Sequence, residues 1–178
     1  MKKLIVPEIY LKNGLCDGEN PVELAKTFSE AGADAIILYD LSSEDEEHET
    51  NLHVMKQIYR EVEVPMYGGG NIKRVEDVKK ILYTGCSKVI LNFSKESNRE
   101  MLEEVSKRFE KEKIAASVDC KEQLLANNSA LEEYASMVVA VRDLPENSYY
   151  KYSLPILAAT VKEDHEIYDI LEKNAVMG

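Results

Sequence analysis

The sequence predicts an α/β fold of parallel strands, and three observations lead there. Uninterrupted apolar runs occur at Ala35-Ile36-Ile37-Leu38-Tyr39 and at Val89-Ile90-Leu91, as in strands covered on both faces. Both runs share one lead-in: a helix end, a glycine stop and a two-residue link, at Glu30-Ala31-Gly32-Ala33-Asp34 and at Tyr83-Thr84-Gly85-Cys86-Ser87. Both also end on a polar residue, Asp40 and Asn92. A weaker third copy, 171–178, puts Asn174 at the stop position. Repeated βα units imply parallel strands with right-handed crossovers. A doubly wound open sheet and a barrel both fit the repeat.

In order, the β-rich stretch Leu4–Leu11 is the first strand and ends at the turn Lys12-Asn13-Gly14. Asn20-Pro21 opens a helix, with Asn as N-cap, Pro at the first position and Glu23 three residues on. Val22, Ala25, Phe28 and Ser29 share one of its faces. After Asp40 comes an acidic loop, Leu41 to His48, and Thr50 caps a second helix with Leu52, Met55, Ile58 and Tyr59 inward. Val62, Val64 and Met66 form the third strand, which runs into Gly68-Gly69-Gly70. The next helix buries Val75, Val78, Ile81 and Leu82, and leads to the strand 88–93. A helix from Arg99 to Lys111 precedes the strand Ile114–Asp119, and a helix from Leu124 to Tyr134 precedes Met137–Val141.

The pattern then changes. Only 144–153, with Pro145 and Asn147 and no helical face, separates that sixth strand from a seventh at Leu154–Ala159. A parallel crossover takes about a dozen residues, so the helix between strands six and seven is expected to be missing. Tyr149-Tyr150-Lys151-Tyr152 is read as a cover over that gap. The chain stops inside what would be an eighth strand, and full eight-fold barrels take roughly 200 residues or more. The expectation is one shortened or incomplete TIM-type (β/α)8 barrel over 1–178, the N-terminal part of a longer chain.

Bulk composition narrows the function. At 178 residues, with 44% hydrophobic and 31% charged residues, the chain is globular. A net charge of −11 argues against nucleic acid and anionic lipid as partners. No apolar run reaches the roughly 18 residues of a membrane span. Cys16, Cys86 and Cys120 are scattered and lack metal-ligand spacing, which predicts a reduced, cytoplasmic setting. Neither metal nor cofactor is expected. His48 in the acidic loop, His53 on the following helix and His165 are read as solvated surface, and Glu44 to Glu47 as a solvated loop.

The stretch Pro65-Met66-Tyr67-Gly68-Gly69-Gly70-Asn71-Ile72 holds three of the eight glycines between a strand and a helix. Such a turn lets backbone N–H groups approach an anion; a tight strand-to-helix turn is the other reading.

Set in order, the chain resembles the cyclase subunit of imidazole glycerol phosphate synthase and its relative, the phosphoribosylformimino-aminoimidazole carboxamide ribotide isomerase. The carrying residues are Ile5-Val6-Pro7, Lys12-Asn13-Gly14, Pro21 to Ala25, Glu30 to Asp34, Asp40, His48-Glu49-Thr50, Pro65 to Gly70, Val75 to Val78 and Val89 to Asn92. Beyond residue 93 the likeness is mainly strand order, best at Val118-Asp119-Cys120-Lys121. The resemblance implies a (β/α)8 barrel, histidine biosynthesis and ligands with two phosphates. It places the first catalytic aspartate at Tyr10 and the second at Asp119, although a lone Asp ending a strand is more often a helix cap. It places one phosphate site at Gly69, Gly70 and Asn92, with Phe93 where the family has threonine, and retains Asp40. The lysine-bearing loop after strand one is deleted. The second phosphate site is lost, with Ala158-Ala159-Thr160 in place of serine-glycine-glycine. The family docks a glutaminase, which a shortened barrel does not favour.

The expected function is therefore a degenerate family member, a phosphate-ligand-binding or interaction module, with a fused histidine-pathway domain or a homo-oligomer as partner. The competing expectation is an enzyme, lyase or isomerase, on a smaller phosphorylated substrate with Asp119 as general base.

Overall fold

The structure, a computed structural model, describes residues 4–141 and 154–158. These divide into two compact units, one of 4–71 with 80–87, the other of 72–79 with 88–141 and 154–158.

The first unit alternates β1 (Glu8–Leu11), α1 (Pro21–Glu30), β2 (Ile36–Asp40), α2 (Asp45–Glu61) and β3 (Met66–Gly69). The three strands are parallel, with Leu11 opposite Asp40 and Tyr39 opposite Gly69. Alternation sorts their side chains onto two faces. Ile9, Leu11, Ile36, Leu38 and Met66 are buried on the helix side, where Phe28 of α1 and Met55 and Ile58 of α2 are also buried. Glu8, Tyr10, Ile37, Tyr39 and Tyr67 lie on the other face.

Local chemistry sets the boundaries. Asn20 caps α1 as expected, its side chain accepting from the N–H of Val22 at 2.9 Å and of Glu23 at 3.5 Å. β1 is shorter than the stretch read from the sequence. It is followed by two tight turns in series, Lys12–Leu15 and Cys16–Glu19, each closed by a pair of backbone hydrogen bonds. They stand where the family's longer loop was expected to be deleted. α2 begins five residues before Thr50: Asp45, Glu46 and Glu47 form its first turn, where carboxylates favour the positive end of the helix dipole. Thr50 lies inside the helix and bonds back to the carbonyl of Glu46. Tyr59, expected on the apolar face, is 56% exposed.

Packing dictates two glycines of the triplet. A Cβ at Gly68 would meet Cγ2 of Ile81 at 2.5 Å and Sγ of Cys86 at 2.9 Å. Gly70 has φ +85°, and a Cβ there would press into the backbone of Asp40.

α3 (Val75–Tyr83) leads on to the second unit, which holds β4 (Lys88–Asn92), α4 (Glu96–Glu100), α5 (Leu102–Phe109), a 3₁₀ turn (Lys111–Lys113), β5 (Ile114–Val118), α6 (Lys121–Ala126), α7 (Asn128–Tyr134), β6 (Met137–Ala140) and β7 (Ile156–Ala158). The pairs β4–β5, β5–β6 and β6–β7 are all parallel. β5 is buried along its whole length, as a strand covered on both faces must be. The two helices expected at 99–111 and 124–134 are each broken in two, at Met101 and at Asn127.

Seven parallel strands with intervening helices in chain order are those of a truncated TIM-type (β/α) barrel. The segments on which a missing sixth helix and a truncated eighth strand were expected, with Tyr149 to Tyr152, Ala159, Thr160 and His165, fall outside the described residues.

Gly68→Ala is expected to lower the unfolding free energy by about 1–3 kcal/mol, the usual effect of overpacking. Urea denaturation followed by circular dichroism measures it.

Candidate functional site

The most heavily bonded group at a strand end is Asp40, the last residue of β2, which is 2% exposed. One carboxylate oxygen accepts from the amide of Asn51 at 2.7 Å and from the N–H of Ser42 at 2.9 Å. The other lies 2.5 Å from Nδ1 of His48. A carboxylate here can only accept, so the imidazole carries its proton on Nδ1. Asn51, fully buried, also donates to the carbonyl of Leu11 at 3.1 Å and accepts from the N–H of Gly14 at 2.8 Å. Nε2 of His48 is buried without a hydrogen-bond partner among the described residues.

His48 is therefore not solvated surface. It occupies the buried face of α2, because that helix starts a turn earlier than Thr50 implied. His53 is exposed, as expected. The acidic cluster is not loose either: Glu47 accepts from the N–H of Asn13 at 2.9 Å and of Ser43 at 2.8 Å. These bonds tie both loops to the start of α2. Asp40 thus has its oxygens turned inward and serves as a structural tie.

On the opposite face of the strands, the end of β1 carries Tyr10. Its hydroxyl donates to Glu8 at 2.5 Å, and its ring stacks on Tyr39 with centroids 5.4 Å apart. Burial and the neighbouring Glu8 push the Tyr10 phenol well above its ordinary range. Burial, with Glu8 and Tyr10, does the same to Tyr39. Neither phenol can serve as an acid or base near neutral pH.

In the second unit, Asn92 ends β4. Its side-chain oxygen accepts from the N–H of Ser94 at 2.9 Å, while its own N–H donates to buried Asn98 at 2.9 Å. The N–H groups of Phe93 and Lys95 are bonded to Ser117 and Asn92. The amide nitrogen of Asn92 is left as the donor that this turn can offer a ligand. Phe93 is 1% exposed and packs inward. Asp119 follows β5 and accepts from the hydroxyl of Ser94; its N–H donates to Gln123 at 2.9 Å, and Gln123 donates to Ser94 at 3.3 Å. Asp119, Ser94 and Gln123 thus form one cluster beside Asn92.

Gly69, buried, and Gly70 belong to the first unit with Asp40, while Asn92 and Asp119 belong to the second. Sequence reasoning missed His48, Asn51, Ser94 and Gln123. The first two were recoverable, since 48, 51, 52, 55 and 58 follow helical spacing. Among the described residues no cluster of three or more metal-ligating side chains occurs, and no helix is long and apolar enough to cross a membrane.

Parallel strands whose C-terminal ends carry the polar groups define a protein of the barrel class in which chemistry gathers at that end. The chain belongs to the histidine biosynthesis protein family, whose model matches residues 10–155. It is similar to the imidazole glycerol phosphate synthase subunit HisF of Streptococcus sanguinis, with 31% identity over 69% of this chain and 53% of that protein. The HisF subunit of Helicobacter hepaticus is 36% identical over 61% of this chain and 43% of that protein. For that of Wolinella succinogenes the figures are 34%, 68% and 52%. The chain spans about half the length of the curated relatives it matches.

Asp40→Ala leaves the buried donors of Asn51 and His48, and the part-buried N–H of Ser42, facing a void. It is expected to lower the unfolding free energy by about 3–5 kcal/mol, as when one partner of a buried pair is removed. Chemical denaturation checks this, and a double-mutant cycle with His48→Ala should return a non-additive coupling.

Proposed function

We propose that this chain is a HisF-like family member that has lost the cyclase reaction and acts by binding a small phosphorylated ligand. The observation that carries this reading is Tyr10. The resemblance puts the first catalytic carboxylate there, and the side chain present is a phenol bonded to Glu8 and held far above neutral pKa. Two-proton chemistry needs two groups that titrate near the working pH. Asp119 alone supplies one carboxylate, and its oxygen already receives the hydroxyl of Ser94.

Support for the phosphate comes from the family positions that persist: Gly69 and Gly70 at the end of β3, and Asn92, the last residue of β4, with a side-chain amide nitrogen able to donate. The hydroxyl expected from a threonine is replaced by inward-packed Phe93, so a weaker grip than the family's is expected.

Two measurements test this reading. The purified chain should not cyclise the ribonucleotide substrate of the family when ammonium is supplied; turnover would overturn the loss of activity. In a thermal-shift titration, ribose 5-phosphate should raise Tm. At a hundredfold excess over Kd the stabilisation is about 2.7 kcal/mol. Asn92→Ala should abolish the shift, and a wild type that no phosphorylated probe stabilises would refute binding.

A further inference from the structure

The face of β1 and β2 that bears Tyr10 carries a feature the phosphate reading leaves unexplained. Glu8 is a partly buried carboxylate whose partner among the described residues is the Tyr10 hydroxyl. No described lysine, arginine or histidine pairs with it. Its bond to the hydroxyl lies at an exposed position, where a small cation can reach the carboxylate. The groups beside it are aromatic. Tyr10 is 45% exposed and lies in a near-parallel stack with Tyr39, at an interplanar angle of 20°. Tyr67 shares the face by strand register, opposite Ile37, which pairs in turn with Glu8. The hydroxyl of Tyr39 is buried without a hydrogen-bond partner among the described residues.

Tyrosine rings attract cations through the negative face of the π system, and aromatic cages closed by a carboxylate recognise alkylammonium groups. Glu8 already acts on both neighbouring phenols as a negative charge, raising each. A cation at this place would gain from the same field. The chain as a whole, at −11, favours the approach of cations over anions.

We propose that Glu8, Tyr10 and Tyr39 form a binding site for an organic cation of the alkylammonium class, with the carboxylate as counter-ion and the tyrosine rings as walls. The proposal does not rest on the phosphate reading.

Choline is the probe, and 3,3-dimethyl-1-butanol its neutral isostere. Isothermal titration gives the affinity. Choline should bind saturably, and the neutral isostere should bind at least tenfold more weakly. Glu8→Gln keeps an acceptor for Tyr10 but removes the charge, and should weaken choline at least tenfold. Tyr39→Leu should do the same by removing a wall, and circular dichroism confirms that each variant is folded. Absence of saturable binding, equal affinity for the two probes, or two folded variants that bind choline like the wild type would overturn the site.

Discussion

Much of the first unit depends on one buried carboxylate. Removing a charge from water costs several kcal/mol even after relaxation, and the protein recovers this only through well-placed donors. Asp40 receives three: the amide of Asn51, the imidazole of His48 and the backbone of Ser42. Each donor also fixes something else. Asn51 holds the end of β1 and the turn at Gly14, and His48 fixes the rotation of the first turns of α2. The backbone of Asp40 lies so close to Gly70 that no side chain fits there. One strand-end residue thereby sets the positions of two loops, a helix and a glycine turn. None of these can move without leaving a buried polar group unpaired.

The two faces of β1–β3 are consequently unlike. The helix side is closed by aliphatic packing and by the Asp40 network, and its polar groups are largely consumed internally. The opposite face is aromatic and carries a carboxylate with one hydroxyl partner. Tyr10 ties this face together: its phenol donates to Glu8 and its ring stacks on Tyr39. In the second unit the carboxylate of Asp119 accepts from Ser94, and its N–H donates to Gln123.

The fold was legible because its signals are local. Buried parallel strands appear as unbroken apolar runs, the cap at Asn20 needs only three residues, and the glycine stops recur in phase. What escaped depends on contacts distant in sequence. Glu44 to Glu47 read as a loop because acidic residues suggest solvent; the same charges suit the first turn of a helix, and α2 begins there. His48 read as surface because its partner is a strand end eight residues earlier, visible only once the helix is extended. The breaks at Met101 and Asn127 fall inside runs whose apolar spacing continues through them. At the candidate site, Asp119 and Asn92 could be placed on strand ends from the sequence. That Ser94 and Gln123 would enclose Asp119 could not, because it depends on neighbouring strands.

Family membership and function draw on different residues in this chain. Gly68 is required by Ile81 and Cys86, Gly70 by the backbone of Asp40, and Asp40 by its own burial. All three would persist in a descendant that binds nothing, because each is demanded by packing. Their match to the family therefore reports ancestry and stability. Packing leaves other positions freer: Tyr10 at 45% exposure, and Asn92 and Asp119, both partly exposed at strand ends. There Tyr10 is bonded to Glu8 and Asp119 to the hydroxyl of Ser94.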